Sequence, residues 1–388
     1  MSFCRHFDAG RCGSCTLLPV PHPRQISQAE SALRALLPPM RWEPPILSAE
    51  TGFRTRAKLA VSGTAQEPVF SFPGGADGAD LADCPLYPAL ITEVLESCRA
   101  LIRRAQIPPY SVARRRGELK YVLVTASATE AMVRFVLRTD AALPRLREHL
   151  GLLDPRAVAV SANLHPEHAA TLEGEEEIHL AGASSLVLPV GDVRLRVLPG
   201  SFTQTNPAVA GELYRTVAAW AREIQPARAW DLFSGAGGFA LHLAAQGVPV
   251  TGVELNEEAV RSARQAAADL AASAGDRSEQ PAPVSFAAAD AFTFAVEQDP
   301  AALPDLVVVN PPRRGLGQRL AQWLNELAPD HIIYSSCNPH TLARDLELMP
   351  RYRPVRGRLA DMFPHTAHNE VVVQCERVPS GTRAEVSP

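Results

Sequence analysis

The sequence predicts an α/β protein whose second half is a doubly wound, Rossmann-like parallel sheet, preceded by a mixed α/β domain. Three observations carry that prediction. From about Pro207 onward, short apolar stretches alternate with helical ones, the texture of a parallel sheet with helices on both faces. Before that point, apolar and β-branched stretches follow one another with turn residues between them. The 388 residues suffice for two or three cores, and 46% apolar with 21% charged residues is ordinary for a globular chain. The expected division is 1–204 and 205–388, with the segment 24–45 as one that could pack on the second unit.

In the first unit, Gln25–Leu37 reads as a short amphipathic helix. Phe53–Ser62, Tyr121–Thr125, Ala131–Leu137, Val158–Leu164, Ser185–Val190 and Val193–Leu198 read as strands of a β-rich platform. Turn-rich loops fall near Gly74–Asp83 and Ala271–Pro283. In the second unit the predicted strands are Arg228–Phe233, Pro249–Glu254, Val284–Ala287, Asp305–Val309 and His331–Ser336. Helical stretches separate them: Ala208–Arg222, Phe239–Gln246, Glu257–Leu270, Gln318–Leu327 and Pro339–Leu348. In such sheets ligands bind beyond the carboxyl ends of the strands, and the residues with chemistry to offer fall at those ends.

Bulk properties narrow the class of function. No apolar run approaches the roughly 18 residues of a membrane span, and the start of the chain has no secretory pattern, so a cytoplasmic location is expected. A net charge of −4 argues against holding nucleic acid by whole-surface electrostatics but leaves room for local basic patches. Arg114, Arg115, Arg116 and Lys120 form the densest patch; Arg54, Arg56 and Lys58 form a second. Phosphate contacts are the expected use of both. Four of the seven cysteines, Cys4, Cys12, Cys15 and Cys84, suit a zinc ion or an iron–sulfur cluster, the spacing leaning slightly to zinc. Cys98 and Cys375 read as ordinary buried thiols.

The stretch Asp231-Leu-Phe-Ser-Gly235-Ala-Gly237-Gly238 follows a predicted strand and opens a helix. Its glycines allow a sharp turn and close approach to a ligand. Glu254 ends the next strand, where a carboxylate can accept from ribose hydroxyls. Such a turn could serve NAD, FAD or S-adenosylmethionine. Asp231 favours the last, because a pyrophosphate at the helix N-terminus would meet an unwelcome carboxylate. Asn310-Pro-Pro-Arg313-Arg314-Gly315 ends the fourth strand, where a methyltransferase presents a base or amide to its methyl donor.

Cys337 closes the fifth strand and precedes a helix, a position expected to lower its pKa and make it a better nucleophile. Uracil C5 needs such help: thiolate addition at C6 gives an enolate, which concentrates charge on C5 for methylation. A base must then remove the C5 proton. Glu370, opening the terminal apolar strand Val371–Val373, is the candidate, with His365 and His368 as rivals. An amide or amino-group methyltransferase with a structural Cys337, or a non-catalytic iron–sulfur RNA-binding protein, would be the competing readings.

DLFSGAGGF, NPPRRG, SSCNPHTLARD and DMFPHTAHNE, in this order, resemble the successive signatures of the RNA uracil-C5 methyltransferase family, and the likeness runs over essentially the whole chain. SFTQTNPAV, with Asn206, resembles a further family stretch. The resemblance implies that Gln204, Phe233, Gly235, Glu254 and Asn310 contact S-adenosylmethionine, that Cys337 is the nucleophile and that Glu370 is the general base. It also implies that Cys4, Cys12, Cys15 and Cys84 hold a [4Fe–4S] cluster, read as structural or RNA-orienting because four ligands leave no open iron. Transfer-RNA members lack that cluster. CPLYP at Cys84–Pro88, RRRGELKY at Arg114–Tyr121 and the early Cys4 resemble the branch acting on 23S ribosomal RNA. The expected partner is therefore 23S ribosomal RNA, turned out as an unpaired base, with no DNA and no membrane. Two departures from the family pattern are Asn310, where many members carry Asp, and Thr203, where many carry an aromatic.

Overall fold

The computed structural model describes residues 2–73, 79–168, 171–273, 280–299 and 303–378. Parts of the two expected turn-rich loops, 74–78 and 274–279, lie outside these residues. The chain opens with a single helical turn, Arg5–Asp8 (α1), then His22–Leu36 (α2) and the short strand Arg41–Trp42 (β1). Next come Arg56–Gly63 (β2), Pro68–Ser71 (β3), Ala89–Ala105 (α3), Leu119–Ala126 (β4), Ala131–Leu137 (β5), Leu143–His149 (α4), Ala157–Leu164 (β6) and Glu176–Gly182 (β7). These five longer strands and β3 form a six-stranded sheet in the order β3-β2-β4-β5-β6-β7. Its one parallel pair, β5 with β6, is the pair joined through α4, since a parallel connection needs a crossover. Ile91, Leu95, Leu101 and Ile102 of α3 pack on this sheet in one apolar cluster.

A hairpin of Leu186–Val190 (β8) and Val193–Val197 (β9) leads into Pro207–Ile224 (α5). Strands and helices then alternate: Ala229–Leu232 (β10), Gly238–Ala245 (α6), Val250–Glu254 (β11), Glu257–Ser273 (α7), Val284–Ala288 (β12), Ala291–Val296 (α8), Leu306–Val309 (β13), Gln318–Leu327 (α9), His331–Ser336 (β14) and Pro339–Glu347 (α10). Two more strands end the fold, Tyr352–Ala360 (β15) and Glu370–Arg377 (β16). They complete an eight-stranded sheet in the order β1-β15-β16-β14-β13-β10-β11-β12. The central strands are buried throughout, as strands covered on both faces must be, and apolar but for Asp231. One face carries α5, α6, α7 and the β8–β9 hairpin; the other carries α2, α8, α9 and α10.

The sheet departs from a purely parallel one at β16, which runs antiparallel between β14 and β15. The segment 361–369 is too short for a helical crossover and returns the chain as a hairpin-like connection. That short return sets Glu370 beside the end of β14. The segment 22–42 joins this second sheet: Ile26 and Leu33 of α2 enter the core with Trp230 and Leu342, and β1 pairs with β15. Among the described residues no helix is long and apolar enough to cross a membrane.

Candidate active site

The carboxyl ends of β10, β11, β12, β13 and β14 open onto one cavity of about 830 Å³. It is built first by the turn after β10. Phe233, Gly235 and Gly237 all have positive φ, at 64°, 53° and 87°. At Gly238 a Cβ would sit 2.4 Å from the Tyr214 ring, so α6 packs against α5 only because no side chain is there. Glu254 accepts from the Gly235 N–H at 3.1 Å and the Asn256 N–H at 2.9 Å, which fixes its carboxylate at the cavity wall. Gln204, Phe233, Gly235, Glu254 and Asn310 all line this cavity.

Asp231 has a different place from the one its sequence position suggests. It is fully buried, is not part of the cavity wall, and accepts from the Ala240 N–H inside α6 at 2.9 Å. Burial, reinforced by Glu254, pushes its carboxyl up to about 8. It therefore anchors the helix and does not select a ligand by its charge.

The Asn310-Pro-Pro-Arg-Arg loop is tied to the start of α10. Asn338 donates from Nδ2 to the Arg313 carbonyl at 3.0 Å, and its Oδ1 caps the helix at the His340 N–H. Asp345, wholly buried, accepts from the Leu316 N–H at 2.7 Å and the Tyr334 hydroxyl at 2.8 Å. These bonds set the positions of Asn310, Arg313 and Cys337, all of which line the cavity.

Cys337 is half-buried. The expectation of a lowered thiol pKa is corrected here. Burial, then the nearby Glu370, push it above its ordinary value, outweighing its own backbone bond and Arg313. Glu370 lines the same cavity yet is only 2% exposed, and burial pushes its carboxyl up to about 7. The Ser335 hydroxyl donates to its Oε1 at 2.7 Å. The rival histidines part company. His365 is buried and fully engaged, its N–H on Gln25 Oε1 at 2.9 Å and its ring against Glu50, Gln25 and Phe3. It is a packing hub and does not line the large cavity. His368 lines the cavity and is exposed.

Cys4, Cys12, Cys15 and Cys84 line one small, apolar cavity with Phe3, Phe7 and Leu86. Burial, with the other three thiols of the set adding repulsion, pushes Cys84 up to about 12; burial, Cys12 and Cys4 push Cys15 up to about 11. Among the described residues, no group of three or more His, Cys, Asp or Glu takes up the arrangement that holds a metal ion. Cys98 and Cys375 are buried among apolar side chains, as their surroundings in the sequence suggest.

The two basic patches do not survive as drawn from the sequence. Arg114, Arg115 and Arg116 are exposed, but Lys120 is buried, donates to the Glu167 carbonyl and lies over the Tyr110 ring. Arg56 is buried and donates to the Ser201 carbonyl at 2.9 Å, and Lys58 pairs with Glu173 at 3.1 Å. Of that second patch only Arg54 lines the large cavity. Arg56 and Lys58, two residues apart on β2, share one face of the strand, but the Ser201 carbonyl and Glu173 engage them there, so they leave no free basic surface. Sequence reasoning also missed Asp290, which lines the cavity at the end of β12 and caps α8 at the Thr293 N–H. An acidic residue closing a strand was the available signal.

A thiol and a buried carboxylate beside a glycine turn can add to an electrophilic ring, then take up a proton. The comparisons agree with that chemistry. The model of the tRNA (uracil-5-)-methyltransferase family matches residues 299–378. The chain is 44% identical over 379 residues to the 23S rRNA (uracil(747)-C(5))-methyltransferase RlmC of Escherichia coli O6:H1, covering 95% of this chain and 98% of that one. The RlmC of Shewanella loihica is 43% identical over 385 residues, covering 97% and 99%. The crystal structure of Pyrococcus abyssi tRNA (uracil-54, C5)-methyltransferase with S-adenosyl-L-homocysteine superposes with a TM-score of 0.77 at 27% identity, covering 94% of this chain and 86% of that one. With sequence identity of this order along nearly its entire length, the chain belongs to the RNA uracil-C5 methyltransferase family.

Proposed function

We propose that this chain transfers a methyl group from S-adenosylmethionine to C5 of a uridine in 23S ribosomal RNA, the uridine at position 747 named for its relatives. The observation that supports this most directly is that Cys337, Glu370 and the glycine turn with Glu254 line one cavity. The Cys337 sulfur bonds to C6, and the C5–C6 π electrons move to O4 as an enolate. C5 then takes the methyl group, the methyl–sulfur bond breaks, and S-adenosylhomocysteine leaves with the electron pair. Glu370 removes the C5 proton, the C5–C6 double bond re-forms, and the Cys337 thiolate is expelled. The test is mass-spectrometric mapping of 5-methyluridine in ribosomal RNA from cells with and without the protein. Unchanged 5-methyluridine in 23S RNA on deletion would overturn the reading.

In this reading Glu254 accepts the ribose hydroxyls of the methyl donor, and Gln204, Phe233, Gly235 and Asn310 complete its site. Glu254→Ala removes a charged acceptor and frees two backbone N–H groups that now hold the turn. The expected result is a dissociation constant for S-adenosylmethionine raised roughly 10- to 100-fold by calorimetry, as loss of hydrogen bonds to a charged group implies.

For the four-cysteine cavity we propose a [4Fe–4S] cluster. Four thiols line one cavity, where burial and then the neighbouring thiols raise Cys84 and Cys15, and a cationic iron core would supply the charge that their thiolates lack. Cys4, Cys12, Cys15 and Cys84 would hold it, and it would stiffen the segment that carries them. Anaerobically purified protein is expected to be brown, with iron and acid-labile sulfide. Cys12→Ser is expected to lose most of its iron. Colourless protein containing zinc would refute the cluster. The exposed Arg114, Arg115 and Arg116 are the proposed contacts to RNA phosphates.

A further inference from the structure

We propose that Ser335 is the positioning residue of the general base: its hydroxyl occupies one oxygen of Glu370 and leaves the other to take the C5 proton. The inference rests on the reading of Glu370 as that base. Ser335 and Glu370 lie on the antiparallel neighbours β14 and β16, where Ser335 pairs with Val372. Glu370 is two residues from Val372, so it shares the face of the sheet to which Ser335 points. The resulting bond, 2.7 Å from Ser335 Oγ to Glu370 Oε1, joins two side chains that are 0% and 2% exposed.

The adjacent serine shows that the hydroxyl is not a general feature of this strand end. Ser336 turns to Asn338, donating to its carbonyl at 3.0 Å and accepting from its N–H at 3.1 Å. Ser335 instead pairs with Val372, on the face of the sheet that also carries Ile333, where an alanine would leave no polar atom to satisfy. A buried hydroxyl is costly unless bonded. Here its bond goes to the carboxylate that removes the proton.

The surroundings of Glu370 explain what the bond does. From β14 and its end come Ser335 and the Cys337 thiol; from α5 comes the buried Tyr214, near enough for its hydroxyl to feel the carboxylate's charge. Its neighbour on β15 is Ala360, and the Asp361 that follows is tied to His22 at 2.6 Å. Burial disfavours the carboxylate, and the Ser335 hydroxyl opposes burial. With one oxygen held, the carboxylate also cannot turn away from the ring in the cavity.

The experiment uses the full chain with a 23S RNA fragment carrying tritium at uridine C5. Methyl incorporation reports the first steps, and tritium release reports proton removal. In Ser335→Ala, tritium release is expected to slow roughly 10-fold at pH 7, more than methyl transfer slows. Its pH midpoint is expected to move up by about one unit, the worth of one hydrogen bond to a carboxylate. Ser335→Thr keeps the hydroxyl and the normal midpoint; Ser335→Cys, a weaker donor, falls between. An unshifted midpoint in Ser335→Ala, or equal slowing of both steps at every pH, would overturn the inference. Glu370→Gln separates this from failure of the underlying reading: normal tritium release in that variant would remove Glu370 as the base altogether.

Discussion

Cys337→Ala is expected to lower methyl transfer by roughly 10⁴-fold or more, because Cys337 is the one thiol among the described residues that line the cavity. The variant should still bind S-adenosylmethionine, since Cys337 is not among the residues proposed to hold it. RNA containing 5-fluorouridine makes the test direct. Fluorine cannot leave C5 as a proton would, so the wild-type protein should form an adduct that survives denaturation, and Cys337→Ala should form none. The pH dependence has a definite sign. Burial and Glu370 raise the thiol's pKa above its ordinary value, so only a minority of molecules carry thiolate near neutrality. Adduct formation should therefore accelerate as pH rises through the neutral range. Retention of normal activity by Cys337→Ala would end the covalent mechanism.

Glu370→Gln should produce the opposite symptom: methyl transfer in the first turnover, then a stalled covalent complex. Glutamine keeps the size of the side chain and the bond from Ser335 but takes no proton. Steady-state turnover should fall roughly 10²- to 10⁴-fold, the usual contribution of a positioned base. The complex should be visible as a shifted band on denaturing gels with unmodified RNA. With its carboxyl raised to about 7, Glu370 is protonated in acid, so proton removal by the wild type should fall as pH drops below that value. Stability runs the other way. A carboxyl whose pKa is raised by folding favours the fold while neutral and loses that contribution as pH climbs through its folded value. Asp231, raised to about 8, adds to the same trend. Glu370→Gln should therefore have a higher Tm than wild type at pH 8, with the difference closing toward pH 4.

How much of this was readable beforehand follows the range of the forces involved. The alternation of strand and helix is local, so the strand-end rule placed Phe233, Glu254, Asn310 and Cys337 correctly at one cavity. β15 has no counterpart among the strands expected from the sequence, because Arg353, Arg356 and Arg358 break up its apolar pattern. In the fold Arg356 is buried, with Glu223 at 2.7 Å and the Trp220 ring beneath it, and Arg358 reaches Thr216. The direction of the Cys337 shift depends on burial and on a carboxylate many residues away. Neither is encoded near the cysteine. Lys58, Arg56 and Lys120 looked like free charge because their partners, Glu173 and the carbonyls of Ser201 and Glu167, come from other strands and loops.

The pairing of β1 with β15 also has a consequence for synthesis on the ribosome. Arg41 lies beside Arg356, a separation of 356 − 41 = 315 residues. At roughly 5–20 residues per second, the early segment waits about 15 to 60 seconds for its partner strand to emerge. During that interval the apolar stripe of α2 has no sheet to cover. The nascent chain keeps that stripe exposed until its last strands arrive, and removing the final strands should cost solubility more than their length suggests.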